Sequence, residues 1–313
     1  MGAATNTVRN VTETTMSRAQ RLSEFVASGS TEVTTHDEKF LEEFASLLPP
    51  DYTVYVAHTP KAELEDVVRV ALRLKALGMR PSPHIVARRV TDIARLHAAL
   101  AKLGSAGVDQ LLMIAGDRAA PDGAFSSTLE LLESRVTLEA GIARIGVAGH
   151  PEGHPSVSEA VLFDTLVRKQ DFAERNGIRM HVATQFGFDT GTLGRWEREL
   201  KSAGVRLPIH AGVAGPTPLT KLMKYALHCG VGASLKAVAG NSLSASRLPH
   251  LVTKADEMLV GVYAAKHLNP DSRIFAPHFF AFGGILETAR WLRAVIEGSF
   301  ELDAAGRGFS ITN

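Results

Sequence analysis

Short runs of β-branched and apolar residues alternate with longer helical patterns from about residue 30 onward. The runs with the length and composition of strands are Thr31–Thr35, Thr53–Ala57, His84–Ala87, Gln110–Ala115, Ala143–Ala148, Arg179–Thr184, Pro208–Gly212 and Arg273–Pro277. The clearest helical patterns are Lys61–Leu77, Asp92–Leu103, Ser158–Asn176, Thr192–Ala203, Pro218–Cys229 and Ala255–Leu268. Such alternation is typical of a parallel sheet with crossover helices.

Eight strands joined by crossovers predict a single-domain α/β fold, the (β/α)8 or TIM barrel. The alternative is an open doubly wound sheet, whose first turn would need a glycine fingerprint, but residues 31–40 contain no glycine. No Pro-, Gly- or Ser-rich linker divides the chain, and no internal repeat is visible. We therefore expect a barrel over residues 26–313, after a loosely ordered N-terminal extension of residues 1–25.

The composition narrows the function classes. The net charge is only +1, so no basic excess indicates a nucleic-acid partner. The lone cysteine, Cys229, excludes an intramolecular disulfide and a multi-cysteine zinc site; it could be a nucleophile or a small buried hydrophobe. The polar start of the chain does not resemble a signal peptide, and no apolar run is long enough to span a membrane. We expect a cytoplasmic protein that acts away from membranes.

Active-site groups of such barrels lie where the strands end. Candidates at these positions are Glu32, His84, Gly116, Asp117, His150, His154, Gln185, Phe186 and Phe188. Glu32 has two interpretations: it faces inward, where desolvation would suit it to act as a general acid, or outward, where it would meet a Lys or Arg of a covering helix. Asp117 could bind the N–H groups of a heteroaromatic ring or cap a turn.

The remaining candidates also have two interpretations each. Gln185 could pair with the edge of a pterin or flavin or be a rim amide, and Phe186 and Phe188 could stack on a ring or belong to the core. His150 and His154 resemble a metal pair, but the prolines beside them disfavour the helix that this spacing needs, so we expect no metal. A helix carrying Asp164, Arg168 and Lys169 could clamp a diphosphate or ribose, or be a solvated face.

Taken in order, the strand-end strings resemble the methylenetetrahydrofolate reductase family in its compact form, a catalytic barrel without a regulatory domain. The similar segments are Thr31-Glu32-Val33, Pro83-His84, Gly116-Asp117, the string from Val147 to Pro155, Arg168-Lys169 and the string from Thr184 to Asp189. The Pro-Glu-Gly-His-Pro loop and the Thr-Gln-Phe-x-Phe-Asp string are the specific parts.

The resemblance implies an FAD-containing barrel that interconverts 5,10-methylenetetrahydrofolate and 5-methyltetrahydrofolate, with NADH or NADPH as cosubstrate, in a homo-oligomer. It implies that Glu32 is the general acid that protonates N10, that Asp117 contacts the pterin and tunes the flavin, and that Gln185 touches substrate and nicotinamide in turn. Phe186 and Phe188 would line the substrate site. The positions that would contact FAD are His84, Gly116, Asp117, His150, His154, Asp164, Arg168 and Lys169.

The chain also departs from the family. Ala115 replaces an arginine, so that flavin contact is absent or supplied by Arg118, and His150 replaces a tyrosine. The first strand lacks a Phe-Phe-Pro run, and after residue 205 the resemblance weakens. These changes leave open an enzyme that works chiefly as a methyltetrahydrofolate oxidase in one-carbon recycling. Two rivals are a flavin-free barrel lyase or aldolase and a non-catalytic folate- or flavin-binding relative.

Overall fold

The computed structural model describes residues 16–218, Leu222 and residues 255–312. Its centre is a closed barrel of eight parallel strands, each paired with its neighbours in chain order, with β1 also paired to β8. The (β/α)8 barrel is therefore confirmed. The strands are β1 (Ser30–Thr34), β2 (Thr53–Ala57), β3 (Arg80–Val86), β4 (Gln110–Ile114), β5 (Arg144–Gly149), β6 (Arg179–Gly187), β7 (Ile209–Ala214) and β8 (Ile274–Phe280).

Helices surround the barrel. They are α1 (Arg18–Ala27), α2 (Leu41–Ser46), α3 (Leu64–Ala76), α4 (Ile93–Ser105), α5 (Thr128–Glu133), α6 (Val136–Glu139), α7 (Glu159–Asn176), α8 (Thr190–Ser202), α9 (Ala255–Leu268) and α10 (Ile285–Ile296), with short 3-10 helices at Thr35–Phe40 and Ala87–Arg89. A hairpin of β9 (Phe300–Leu302) and β10 (Phe309–Ile311) follows. Of the described helices, none is long and apolar enough to cross a membrane.

All eight predicted strands are present, but β3 begins four residues before its predicted start. Pro81 and Pro83 lie inside it and made the segment resemble a loop, because proline cannot donate to a ladder. The Arg80 N–H donates to Tyr52 O on the β2 side. Since successive N–H groups of a strand face alternate sides, both prolines face β4, whose ladder with β3 begins only at His84.

The first described helix begins within the segment for which the sequence predicts a loosely ordered extension. Helix α1 begins with a capping box at Ser17 and buries Leu22, Phe25 and Val26. The Ser23 hydroxyl donates to Val295 O of α10 at 2.7 Å, which ties α1 to the last barrel helix. Residues 1–15 and most of the predicted helix Pro218–Cys229, including Cys229 itself, lie outside the described residues.

The protein has two interior regions that determine where the site lies: the layer between strands and helices, and the lumen of the barrel. Between strands and helices the packing is apolar, with fully buried residues such as Val54, Val56, Ile85 and Leu111. Within the barrel lumen, by contrast, Leu112 and Ala183 contact Tyr55, and aromatic and imidazole rings occupy much of the space. The outer layer supplies the hydrophobic stabilisation of the fold, which frees the lumen to carry polar groups.

Candidate active site

Glu32 lies on the inner face of β1. Its neighbour Val33 packs in the apolar layer under the helices, so Glu32 faces the opposite way. It is paired in register with Tyr55 of β2, and paired residues of parallel strands share a face. Burial, with a smaller contribution from the carboxylate of Asp37, raises the pKa of Glu32 to about 8. The structure thus favours the inward interpretation, and a carboxyl that keeps its proton near neutral pH.

The mouth of the barrel has an aromatic wall above β6 to β8. Phe186 is buried, and its ring centre lies 5.8 Å from Phe188, 5.4 Å from Phe280 and 4.9 Å from Phe282. Phe282 has a left-handed backbone conformation, with φ 46°, which is rare for a residue with a side chain. The two phenylalanines named from the sequence are therefore half of a wall that β8 and its following loop complete.

Gln185 lies inside β6, not after it, because this strand extends three residues beyond its predicted end. A register shift between Ala183 and Phe186 accompanies it, and the Thr184 hydroxyl donates to Gln185 O. Beside it lies a shallow cleft near the ends of β5, β6 and β7, lined by Glu152, Gln185, Phe186, Gly187, Gly212 and Met258, among others. Its enclosed space is only large enough for about one water molecule.

The loop after β4 approaches β3 closely. Gly116 has φ +94°, and a Cβ there would lie 2.5 Å from Val86 Cγ1, so the position requires glycine. Asp117 follows and is exposed. Arg118 forms an ion pair with Asp122, and Arg88 donates through its side chain to Arg118 O at 2.7 Å and Ser126 O at 2.8 Å. Arg88, which the sequence analysis did not single out, thus anchors this loop beside Ala115.

The loop after β5 brings two imidazoles and an ammonium group together. The rings of His150 and His154 are 5.1 Å apart and edge-to-face. Burial lowers the pKa of Lys169 to about 8, and the pKa of His150 falls to about 4 through burial, His154 and Lys169. Within residues 16–218 and 255–312, no three His, Cys, Asp or Glu side chains are arranged to hold a metal ion.

The structure separates the two basic residues of α7. Lys169 is only 8% exposed and makes no ion pair with any described residue. Arg168 is exposed and lies 3.9 Å from Glu133, while Asp164 is also exposed. Consecutive helical residues point about 100° apart, so one faces the barrel while the other faces solvent. Lys169 is thus the better placed of the two to hold an anion inside the mouth.

Three buried polar atoms near the ends of β2 and β3 have no hydrogen-bond partner among the residues that the structure describes. They are His58 Nδ1, Thr59 Oγ1 and His84 Nε2. Burial, and secondarily the neighbouring His58, lowers the pKa of His84 to about 3. Buried polar atoms are normally paired, so these atoms are suited to a polar ligand. Together with Gly116 and Lys169 they fit a large, flat, anionic cofactor such as FAD.

Comparison with known protein families gives a match. A family model of methylenetetrahydrofolate reductase matches residues 50–234, more than half of the chain. The chain belongs to the methylenetetrahydrofolate reductase family. The match includes the loops with Gly116-Asp117, His150 to His154 and Gln185 to Phe188, whereas Glu32 precedes it.

Membership in the methylenetetrahydrofolate reductase family supports an oxidoreductase of folate one-carbon metabolism, with a folate as substrate, in a family that is generally flavin-dependent. It favours this interpretation over a flavin-free lyase. The sequence did not indicate four residues near the site, namely Tyr55, Arg88, Phe280 and Phe282. The string Pro277-His278-Phe279-Phe280 at the end of β8 could have indicated Phe280, since it occupies a strand end like the strings that were recognised.

Proposed function

We propose that this protein interconverts 5,10-methylenetetrahydrofolate and 5-methyltetrahydrofolate, using FAD and either NADH or NADPH. The observation that carries the proposal is the inward carboxyl of Glu32, whose pKa is raised to about 8, at the mouth of a barrel of this family. A general acid works best when its pKa lies near the operating pH. Glu32 meets that condition for protonating a folate nitrogen.

When bound, FAD would accept a hydride from the nicotinamide and pass it to the folate carbon. Lys169 would neutralise part of the diphosphate charge, because it is a buried cation that makes no ion pair within the described chain. His84 would donate or accept through its unpartnered Nε2, and Gly116 would let the cofactor approach the backbone. His150, His154, Asp164 and Arg168 would contribute further contacts from the β5 loop and α7.

Substrate binding would place the folate between Glu32 and the aromatic wall. Glu32 would give its proton to N10 as the five-membered ring of the substrate opens. Asp117 would contact the pterin, and Gln185 would hydrogen-bond the pterin and the nicotinamide in turn, since an amide both donates and accepts. Phe186 and Phe188 would stack against the bound ring and exclude water from the reacting atoms.

Two spectroscopic steps test the proposal. The purified protein, loaded with FAD if needed, should be yellow, bleach under anaerobic NADH or NADPH, and regain its colour when methylenetetrahydrofolate is added. A protein that takes up no FAD would overturn the cofactor assignment. A flavin that is reduced but never reoxidised by the folate would overturn the substrate. From the family resemblance we also propose a homo-oligomer, which light scattering of the purified protein tests.

A further inference from the structure

Five aromatic and imidazole side chains fill the barrel lumen below Glu32. This lumen cluster consists of Tyr55, His84, His181, His210 and His278, contributed by β2, β3, β6, β7 and β8. The His181 and His210 rings stack 4.1 Å apart, and the His210 ring lies 5.7 Å from that of Phe275. Apart from His84, none of these residues has a role in the chemistry proposed above. Their presence in the centre of the barrel needs a physical explanation.

Tyr55 is the centre of the lumen cluster. Its side chain is fully buried, and its hydroxyl lies 2.7 Å from His181 Nε2. Because β2 and β6 are on opposite sides of the eight-stranded barrel, the phenol spans the lumen. The Tyr55 ring also lies 4.4 Å from His278 and 5.9 Å from His84, centre to centre. One side chain therefore contacts three of the four imidazoles.

The cluster is connected to the strand that carries Glu32. Glu32 pairs with Tyr55 across the β1–β2 ladder, so both side chains enter the lumen side by side. Ser30, two residues earlier on the same face of β1, has its hydroxyl 2.8 Å from His278 Nδ1. Tyr55, beside Glu32, and Ser30, below it, are thus both fixed by hydrogen bonds to imidazoles of the lumen cluster.

The cluster stays uncharged around neutral pH. Burial lowers the pKa of His210 to about 4 and that of His84 to about 3, and it lowers the pKa values of His181 and His278 well below their ordinary value. Each imidazole also opposes protonation of its neighbours, which reinforces the effect. A cation in this position would stabilise the Glu32 carboxylate, and a neutral ring does not.

Charged groups lie at both ends of the lumen cluster, and at its β3 side His84 is next to His58, which is itself beside Arg89. Asp37, from the 3-10 helix after β1, faces Glu32 and disfavours its ionisation. At the opposite end, Arg144 forms an ion pair with Asp109 at 2.7 Å, and Lys266 donates to Phe275 O at 2.7 Å. Both cations are engaged elsewhere. Of the lumen cluster, Tyr55 is the member that pairs with Glu32 in register, and the imidazoles of the cluster lie behind it.

We propose that Tyr55 is a positioning residue, which fixes His181 by a hydrogen bond, packs against His84 and His278, and so holds an uncharged lumen cluster beneath Glu32 that favours the protonated Glu32 carboxyl until substrate binds. The role assigned to that proton rests on the proposed function, but the state of the carboxyl does not. Leucine side chains in place of the lumen cluster would also be uncharged. The phenol adds a fixed partner for His181, so that this imidazole neither binds water nor gains a proton at low cost.

The test follows the proton on Glu32 directly. The infrared carbonyl band of the protonated carboxyl, identified by its loss in E32Q, is recorded against pH in the purified full-length protein without added folate or nicotinamide. In the native protein the band should persist until about pH 8. In Y55F the midpoint should fall by about one pH unit, because water and a less constrained His181 would stabilise the carboxylate. S30A should shift it in the same direction by less.

A matched control exists in Y52F. Tyr52 is also buried, and its hydroxyl donates to Val26 O at 3.2 Å, outside the lumen. This variant loses one buried tyrosine hydroxyl but should leave the midpoint unchanged. An unchanged midpoint in both Y55F and S30A, or an equal shift in Y52F, would overturn the proposal. Since the titration needs neither flavin nor folate, failure of the colour test would leave its result interpretable.

Discussion

The two ends of the barrel differ in whether their charged groups have partners. At the N-terminal end, Glu197 is 4% exposed and accepts hydrogen bonds from the Ser272 hydroxyl at 3.0 Å and from the Arg273 N–H. Nearby, the half-buried Arg144 donates to both carboxylate oxygens of Asp109, which is also half-buried, at 2.8 and 2.7 Å. At the C-terminal mouth, Glu32 is half-buried and Lys169 is buried, yet neither makes an ion pair with any described residue.

Under the proposed function, this difference separates groups that hold the fold together from groups that would bind a ligand. A buried charge without a partner destabilises the folded state, so its pKa shifts toward the neutral form. Both mouth residues show that shift, since the pKa of Glu32 is raised and that of Lys169 is lowered, each to about 8. A bound cofactor and substrate would supply the missing partners. Removing one charged group at each end should therefore have different effects on stability and on chemistry.

The largest effect is expected from E32Q in the folate half-reaction. Glutamine keeps the shape of the side chain but cannot donate a proton as an acid. Reoxidation of the reduced flavin by methylenetetrahydrofolate should slow by about 10²- to 10⁴-fold, the usual contribution of a general acid. Flavin reduction by the nicotinamide should stay within about twofold, because it needs no proton from Glu32. Stopped-flow absorbance measures both steps, and an equal fall in the two would contradict the acid role.

The same substitution should change how stability depends on pH. The folded-state pKa of Glu32 is about 8, above its ordinary value of 4.5, so the folded protein binds more protons than the unfolded chain between those values. Native stability is therefore lost as pH rises through this window, by about 1.4 kcal/mol for each unit of pKa difference. E32Q lacks this contribution. Urea unfolding from pH 5 to 9 should show E32Q gaining relative to the native protein, and parallel curves would refute the shift.

At the opposite end, E197A should damage the fold and spare the chemistry. The substitution leaves the Ser272 hydroxyl and the Arg273 N–H without their shared acceptor. The free energy of unfolding should fall by about 1–3 kcal/mol, the cost of unsatisfied buried groups. E199A, on the exposed face of the same helix, should change it by less than about 0.5 kcal/mol. If E197A slowed either half-reaction with its stability intact, the division between the two ends would be wrong.

The barrel could be predicted from the sequence, because strand periodicity is a local signal. Glu32 could be located at a strand end, but its residue pattern left open whether it faces inward or outward, which only the pairing with Tyr55 decides. The lumen cluster could not be predicted, because its members come from five strands and meet only when the barrel closes. The start of β3 was hidden by Pro81 and Pro83, which a strand tolerates only where no ladder bond is lost. The register shift in β6, which places Gln185 within the strand, depends on pairing with β7 and has no local signature.

Lys169 should matter for the cofactor and not for the fold. K169M keeps the apolar stem and removes the buried charge. FAD affinity should fall about tenfold, since a hydrogen bond to a charged group contributes roughly 1.5–3 kcal/mol. The unfolding free energy of the FAD-free protein should stay equal or rise, because an unpaired ammonium is no longer buried. K102M, at an exposed lysine of α4, is the control. Weaker FAD-free stability in K169M would mean that Lys169 serves the fold.

The smallest effect is expected from R168A, which tests whether burial decides between two adjacent basic residues. Arg168 is exposed and lies 3.9 Å from Glu133, so solvent and salt screen its charge. FAD affinity measured by fluorescence quenching should fall by about threefold or less at low salt. The loss should vanish near 1 M salt, where the screening length is about 3 Å. R175A on the same helix should have no effect, and a larger loss in R168A than in K169M would show that the outward guanidinium, rather than the buried ammonium, holds the cofactor.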